Sequence, residues 1–163
     1  MSEPAWLREA RANLGVAEIP GAKSNPKILE WARRLGGRIL GAGYTNDDTA
    51  WCGLFAAHCV SSAGIAPPPI ALRAKAWATW GEPIAPCVGA VLVFQREGGG
   101  HVGFCVGESL TAWRVLGGNQ SNRVCETWIE KARCIAVRWP PGAPRTAAPL
   151  VLTQAGVLSR NEA

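Results

Sequence analysis

Six cysteines and two histidines are the side chains of this chain best suited to nucleophilic chemistry, and their spacing sets one pair apart. Cys52 falls in the first turn of a helix read over about residues 50–63, where unpaired N–H groups and the helix dipole favour a thiolate over a thiol. A thiolate attacks carbonyl carbon when a base stands within hydrogen-bond reach. Periodicity alone fits Cys52 equally well as the first apolar residue of a core-facing stripe. His58 is excluded as the base, because six residues further along one helix it is rotated by about 240° and raised by ~9 Å. His101 remains, at the start of a strand that follows the glycines at 98–100. Val102, Phe104 and Val106 alternate away from it, leaving His101, Gly103 and Cys105 on the other face, with Gly103 keeping that face open. Cys105 is ~13 Å further along the strand and is a poor partner for His101.

A third group belongs to the polar turn GGNQSN at residues 117–122. One amide oxygen there can accept the second ring N–H of His101, fixing its tautomer and orientation. Asn119 suits this best. Gln120 and Asn122 stay open as candidates, although an uninterrupted strand would turn Gln120 to the opposite face. Asp47 and Asp48 read as helix-capping acids or as neighbours of the oxyanion, and Asp48 is the candidate substrate contact. Trp51, just before the cysteine, reads either as a cleft wall or as an ordinary core tryptophan.

The elements that must position these residues follow from pattern. Residues 4–14 predict an amphipathic helix stopped by Gly15, and Asn25 caps a second helix, with Pro26 at its first position and Gly36 and Gly37 ending it. Asp48 or Thr49 offers the cap of the third helix. Prolines 67–69 break the chain before a short helix at 72–80. Apolar runs at 90–94, 101–106, 112–116, 123–127 and 134–139, separated by Gly-rich turns, predict antiparallel strands. Helices first and strands afterwards indicate an α+β domain over residues 1–140, with 141–163 as a tail that wraps over it rather than a second domain. A chain of 163 residues and 17.3 kDa has one core and roughly 7,800 Å² of folded surface by size scaling.

The net charge of +5 and pI near 9.1 imply attraction to anionic surfaces. The basic residues are scattered, without the block or helical stripe of a nucleic-acid reader, so no nucleic-acid partner is expected. No apolar run approaches the ~18 residues of a membrane span, and the N-terminal residues lack the pattern of a Sec signal. The cysteines, with no Cys-x-x-Cys pair among them, are expected to be reduced thiols rather than disulfides or zinc ligands.

The stretches DDTAWCGLFAAHCVSSAGI (47–65), GGHVGFCVG (99–107) and VLGGNQSNRV (115–124), in this order, resemble the CHAP cysteine peptidases and amidases, in particular a phage and prophage branch. The opening LREARANLGVAEIPGAKSNPKIL (7–29) is similar to that branch too. The resemblance implies a papain-like single domain, with N-terminal helices packed on a C-terminal antiparallel sheet. It implies Cys52 as nucleophile, His101 as general base and Asn119 as the residue that orients the imidazole. It further implies an endolysin-like hydrolase of an amide bond in bacterial peptidoglycan. Many members carry Glu or Asp at the third position, and calcium-binding members carry alternating aspartates. Here Asp47 and Asp48 are adjacent, so neither metal nor other cofactor is expected.

On this reading the protein works as a monomer, either held in the host cytoplasm until a holin or lysis releases it to the wall or periplasm, or carried on a virion. Two other readings stay open: an antibacterial effector or other cysteine hydrolase of the same fold, and a non-catalytic phage structural or wall-binding module in which Cys52 is merely packed.

Overall fold

The computed structural model describes residues 3–21, 23–47, 49–145, 148–154 and 156–162. Three α-helices come first: α1 Ala5–Ala12, α2 Pro26–Leu40 and α3 Cys52–Ser62. A 3-10 helix, Ala74–Thr79, leads into the strands β1 Glu82–Pro83, β2 Val91–Arg96, β3 Gly99–Glu108, β4 Ala112–Gln120, β5 Arg123–Glu130 and β6 Cys134–Trp139. The strands form one antiparallel sheet in the order β1-β6-β2-β3-β4-β5. The chain is thus a single-domain α+β protein, and its surface of 7829 Å² matches the size expected of one core.

The Asn25 side chain caps α2 by accepting the Lys27 N–H, with Pro26 at the first position. Gly36 takes φ 82° and breaks the helix there as expected, yet one further turn carries on to Leu40. The short helix expected at 72–80 is the 3-10 helix Ala74–Thr79, and the two-residue β1 has no signal in the hydrophobic pattern.

The largest departure concerns α3. Its sequence predicts one apolar stripe, but Cys52, Gly53, Leu54, Phe55, Ala56, Ala57, Cys59 and Val60 are all buried, so the helix is enclosed on nearly every side. Small residues make this possible. A Cβ at Gly53 would strike the carbonyl oxygen of Ala71, so the loop after the prolines lies directly on the first turn of α3. On the opposite side a Cβ at Gly118 would come within 2.6 Å of Phe55 Cβ and 2.9 Å of Trp51 Cζ3, so β4 and the helix start approach backbone to ring.

The start of β3 is fixed from both sides. Phe94 of β2 pairs with His101, and a Cβ at Gly100 would lie 2.9 Å from Lys75 Cγ of the 3-10 helix. The end of β4 is irregular. Its register with β5 runs evenly from Ala112↔Glu130 to Gly117↔Cys125, then shifts by one residue before Gln120↔Arg123. Gly118 and Asn119 together face a single position of β5, which makes a β-bulge.

Beyond β6 the chain returns over the sheet. Leu152 bridges to Glu108, Leu158 to Trp128 and Glu162 to Gln120.

Candidate active site

The site is assembled from the first residue of α3, the start of β3 and the bulge of β4. Cys52 is the first helical residue, and the cap position is Trp51 with no side-chain cap bond. Thr49 therefore lies outside the cap position expected of it, and Asp48 lies outside the described residues. The N–H groups of the first turn have no intrahelical acceptor, which leaves them to a negative charge.

His101 hydrogen-bonds the sulfur of Cys52, and so do the backbone groups of Val102 and Gly53. Both side chains are enclosed, Cys52 at 3% and His101 at 0% exposure. Burial is the largest single influence on the Cys52 thiol and would raise its pKa. The hydrogen bond and charge of His101, with the two backbone hydrogen bonds, outweigh it and hold the thiol below its ordinary value.

The other ring nitrogen is held by Gln120, not by Asn119. His101 Nε2 lies 2.9 Å from Gln120 Oε1. Gln120 Nε2 donates to the carbonyls of Cys125 at 2.7 Å and Val115 at 3.2 Å, so the amide is turned with its oxygen toward the ring. An amide oxygen can only accept, so Nε2 carries the proton and Nδ1 is left for the sulfur.

The expectation that Asn119 orients His101 is corrected by the bulge. Pairing of Phe104 with Leu116 and Cys105 with Val115, continued evenly, would set Asn119 opposite His101. The extra residue reverses the alternation, and Gln120 takes the place. Asn119 itself has φ 56° and is buried in the bulge. Glycines supply the room. A Cβ at Gly117 would come within 2.6 Å of Gln120 Oε1, and one at Gly103 within 2.5 Å of Val115 Cγ1. The face beside Gly103 is thus filled by Val115 and Gln120 rather than left open.

Trp51, a candidate for the cleft wall, is a core residue instead. It is 0% exposed, its ring lies 6.4 Å from that of Trp31, and its Nε1 donates to Glu18 Oε1 at 2.9 Å. Glu18 in turn donates its backbone N–H to Asn122 at 2.9 Å, which ties the helix start to the turn after β4. Asp47 is also structural. Its Oδ2 accepts from the backbone N–H of Asn25 at 2.7 Å and Ile19 at 3.1 Å, pinning the segment before α2.

His58 stands apart, stacked on Trp31 at 4.9 Å with Nε2 2.9 Å from Glu9 Oε2. Burial lowers its pKa against the opposing pull of Glu9. All six cysteines are free thiols, and among the described residues no group of three or more His, Cys, Asp or Glu could hold a metal ion. No described helix is long and apolar enough to cross a membrane.

The cysteines should therefore differ in reactivity. Burial pushes Cys59, Cys87 and Cys134 up, and Cys105 up to about 12, whereas Cys52 is held low. Iodoacetamide on the native protein at pH 6–7 is expected to label Cys52 at least ~10-fold faster than these four, since the thiolate is the reactive form. Peptide mapping by mass spectrometry reads the result, and equal labelling of Cys52 and Cys134 would contradict the lowered pKa of Cys52.

No protein-family model, no curated protein and no solved structure matches this chain.

Proposed function

We propose that this protein is a cysteine amidase or peptidase of the CHAP, papain-like kind, an endolysin-like enzyme that hydrolyses an amide bond in bacterial peptidoglycan. The observation that supports it is the hydrogen-bonded series Cys52, His101, Gln120, in which a thiol with lowered pKa starts a helix and a fixed amide sets the tautomer of its base. A merely packed cysteine needs neither the imidazole nor the oriented amide behind it.

The chemistry proceeds by acyl transfer. The Cys52 thiolate adds to a peptide carbonyl carbon, and the negative charge that develops on oxygen is met by the Cys52 backbone N–H at the start of α3. His101, having taken the Cys52 proton, gives a proton to the departing amine as the C–N bond breaks, leaving a thioester on Cys52. Water then attacks the thioester, His101 takes the water proton, and the thiolate leaves with release of the carboxylate. Gln120 Oε1 keeps the ring aligned in both halves.

Peptidoglycan is the substrate implied by the resemblance, and the net charge of +5 suits an anionic wall polymer. Purified peptidoglycan incubated with the protein is expected to release fragments carrying new amino and carboxyl termini, with no new reducing sugar ends. Mass spectrometry of the fragments identifies the bond. Release should weaken as salt rises from 0.05 to 0.5 M if charge steers association, by roughly several-fold. Sugar ends without new amine termini would overturn the proposal.

A further inference from the structure

The last described stretch of chain returns to the catalytic centre. The Ser159 N–H donates to Trp128 O at 2.7 Å, the Ser121 N–H to Asn161 O at 2.7 Å, and Glu162 pairs with Gln120 in an antiparallel bridge. The turn gripped in this way contains three non-glycine residues in left-handed backbone, Asn119 at 56°, Ser121 at 52° and Asn122 at 63°, a conformation that needs support from its surroundings.

Glu162 is the charged residue of this stretch that goes inward. Its side chain is 4% exposed, one oxygen pairs with the guanidinium of Arg133, and the other accepts from Ser159 Oγ at 2.6 Å. Arg133 also donates Nε–H to Gln95 O at 3.0 Å, beside the Phe94↔His101 pair. The pair thus sits between the amide that holds the imidazole and the strand that neighbours it. Burial raises the Glu162 carboxyl pKa, but Ser159, Arg133 and the charge of His101 outweigh it and leave the group below its usual value.

We propose that Glu162 is a positioning residue for His101: the returning chain carries its carboxylate to the Gln120 bulge, where it favours the imidazolium through space while its backbone bridge steadies the amide. Arg133 opposes that field and sets how much of it the ring feels. The inference deepens the cysteine-hydrolase reading and rests on it.

The other groups set around His101 come from several elements, and Glu162 and Arg133 share their cleft with Arg96, Glu97, Glu130 and Arg160. Cys52 comes from α3, the neutral amide of Gln120 from β4, Arg96 from β2 with Nε on Gly100 O at 3.1 Å, and Lys75 from the 3-10 helix against Gly100. Glu162 supplies a negative charge that does not itself react with substrate.

The test uses the full chain with Cys52→Ala, so that the ring titrates without the thiol. NMR follows the His101 ring across pH, with His58 the only other imidazole in the sequence. Glu162→Gln is expected to lower the His101 pKa by roughly half a pH unit and Arg133→Gln to raise it by about as much, because one removes a negative and the other a positive charge. Glu162→Asp, which keeps the charge, should restore most of the shift.

A turn that merely loosened would move both variants in the same direction, so shifts of one sign, or none, overturn the inference. If near-UV circular dichroism finds Glu162→Gln unfolded, Arg133→Gln decides alone: a rise supports the inference and anything else overturns it. A separate measurement isolates the reading beneath it. Iodoacetamide labelling of Cys52 in the otherwise unaltered chain, with the pH profile of an ordinary thiol, would sink the hydrolase reading however His101 responds to Glu162.

Discussion

On the proposed reading, Cys52→Ala is expected to lower amide hydrolysis of peptidoglycan by on the order of 10⁴-fold or more, because among the described residues no other nucleophile is set against His101. The magnitude follows from the way nucleophile and base act as a unit: without the sulfur, His101 has nothing to activate, and only binding and the oxyanion donor remain. Cys52→Ser keeps the shape but replaces a thiol held low by its surroundings with a hydroxyl that His101 must deprotonate outright, so it should be nearly as inactive. Neither change removes much packing, since Cys52→Ala deletes a single buried sulfur atom and Cys52→Ser exchanges it for oxygen. Thermal unfolding should therefore stay within about 1.5 kcal/mol of the unaltered protein. The measurement is release of new amino termini from purified peptidoglycan, with stability followed in parallel. Cleavage that persists in Cys52→Ala would place the chemistry elsewhere.

How much of this site could be read from the residues depends on where local rules hold. Cys52 and His101 were legible because each sits near the beginning of a regular element, a helix start that favours anions and a strand whose first two residues, Gly99 and Gly100, precede His101. The elimination of His58 by helical geometry agrees with its place against Trp31 and Glu9. The antiparallel sheet was legible as apolar runs separated by Gly-rich turns, with the exception of the two-residue β1.

What could not be read was any relation that alternation fails to carry. The identity of the third residue turns on one extra position in β4, and strand periodicity assumes there is none. A signal was present: Gly-Gly-Asn followed by Ser-Asn concentrates residues that tolerate left-handed backbone, and Asn119, Ser121 and Asn122 all adopt it. The burial of Trp51 and the enclosure of α3 are likewise tertiary facts, because helical spacing shows one apolar face and not how many neighbours close over the rest. Glu162 had no local signal beyond being one of three charges in an otherwise uncharged tail.

Gln120→Leu is expected to lower kcat by about 10²- to 10³-fold, whereas Asn119→Gly should keep it within about threefold, the opposite ranking from the one that even alternation implies. Leucine fills similar space but offers no acceptor to His101 Nε2–H, so the ring is free to adopt the tautomer that points its proton at the sulfur. That tautomer cannot take a proton from Cys52. The same change leaves the buried Nε2–H without its acceptor and strips two backbone carbonyls of a donor, so stability should fall by about 1–3 kcal/mol. Asn119, in contrast, occupies a left-handed backbone position that glycine adopts without strain. The NMR shifts of the His101 ring nitrogens separate the two effects of Gln120→Leu, since a tautomer change alters them while simple destabilisation of a still-folded protein does not. If instead Asn119→Gly were the crippling substitution and Gln120→Leu the mild one, the amide that orients the imidazole would be Asn119 after all, and the bulge would have no catalytic consequence.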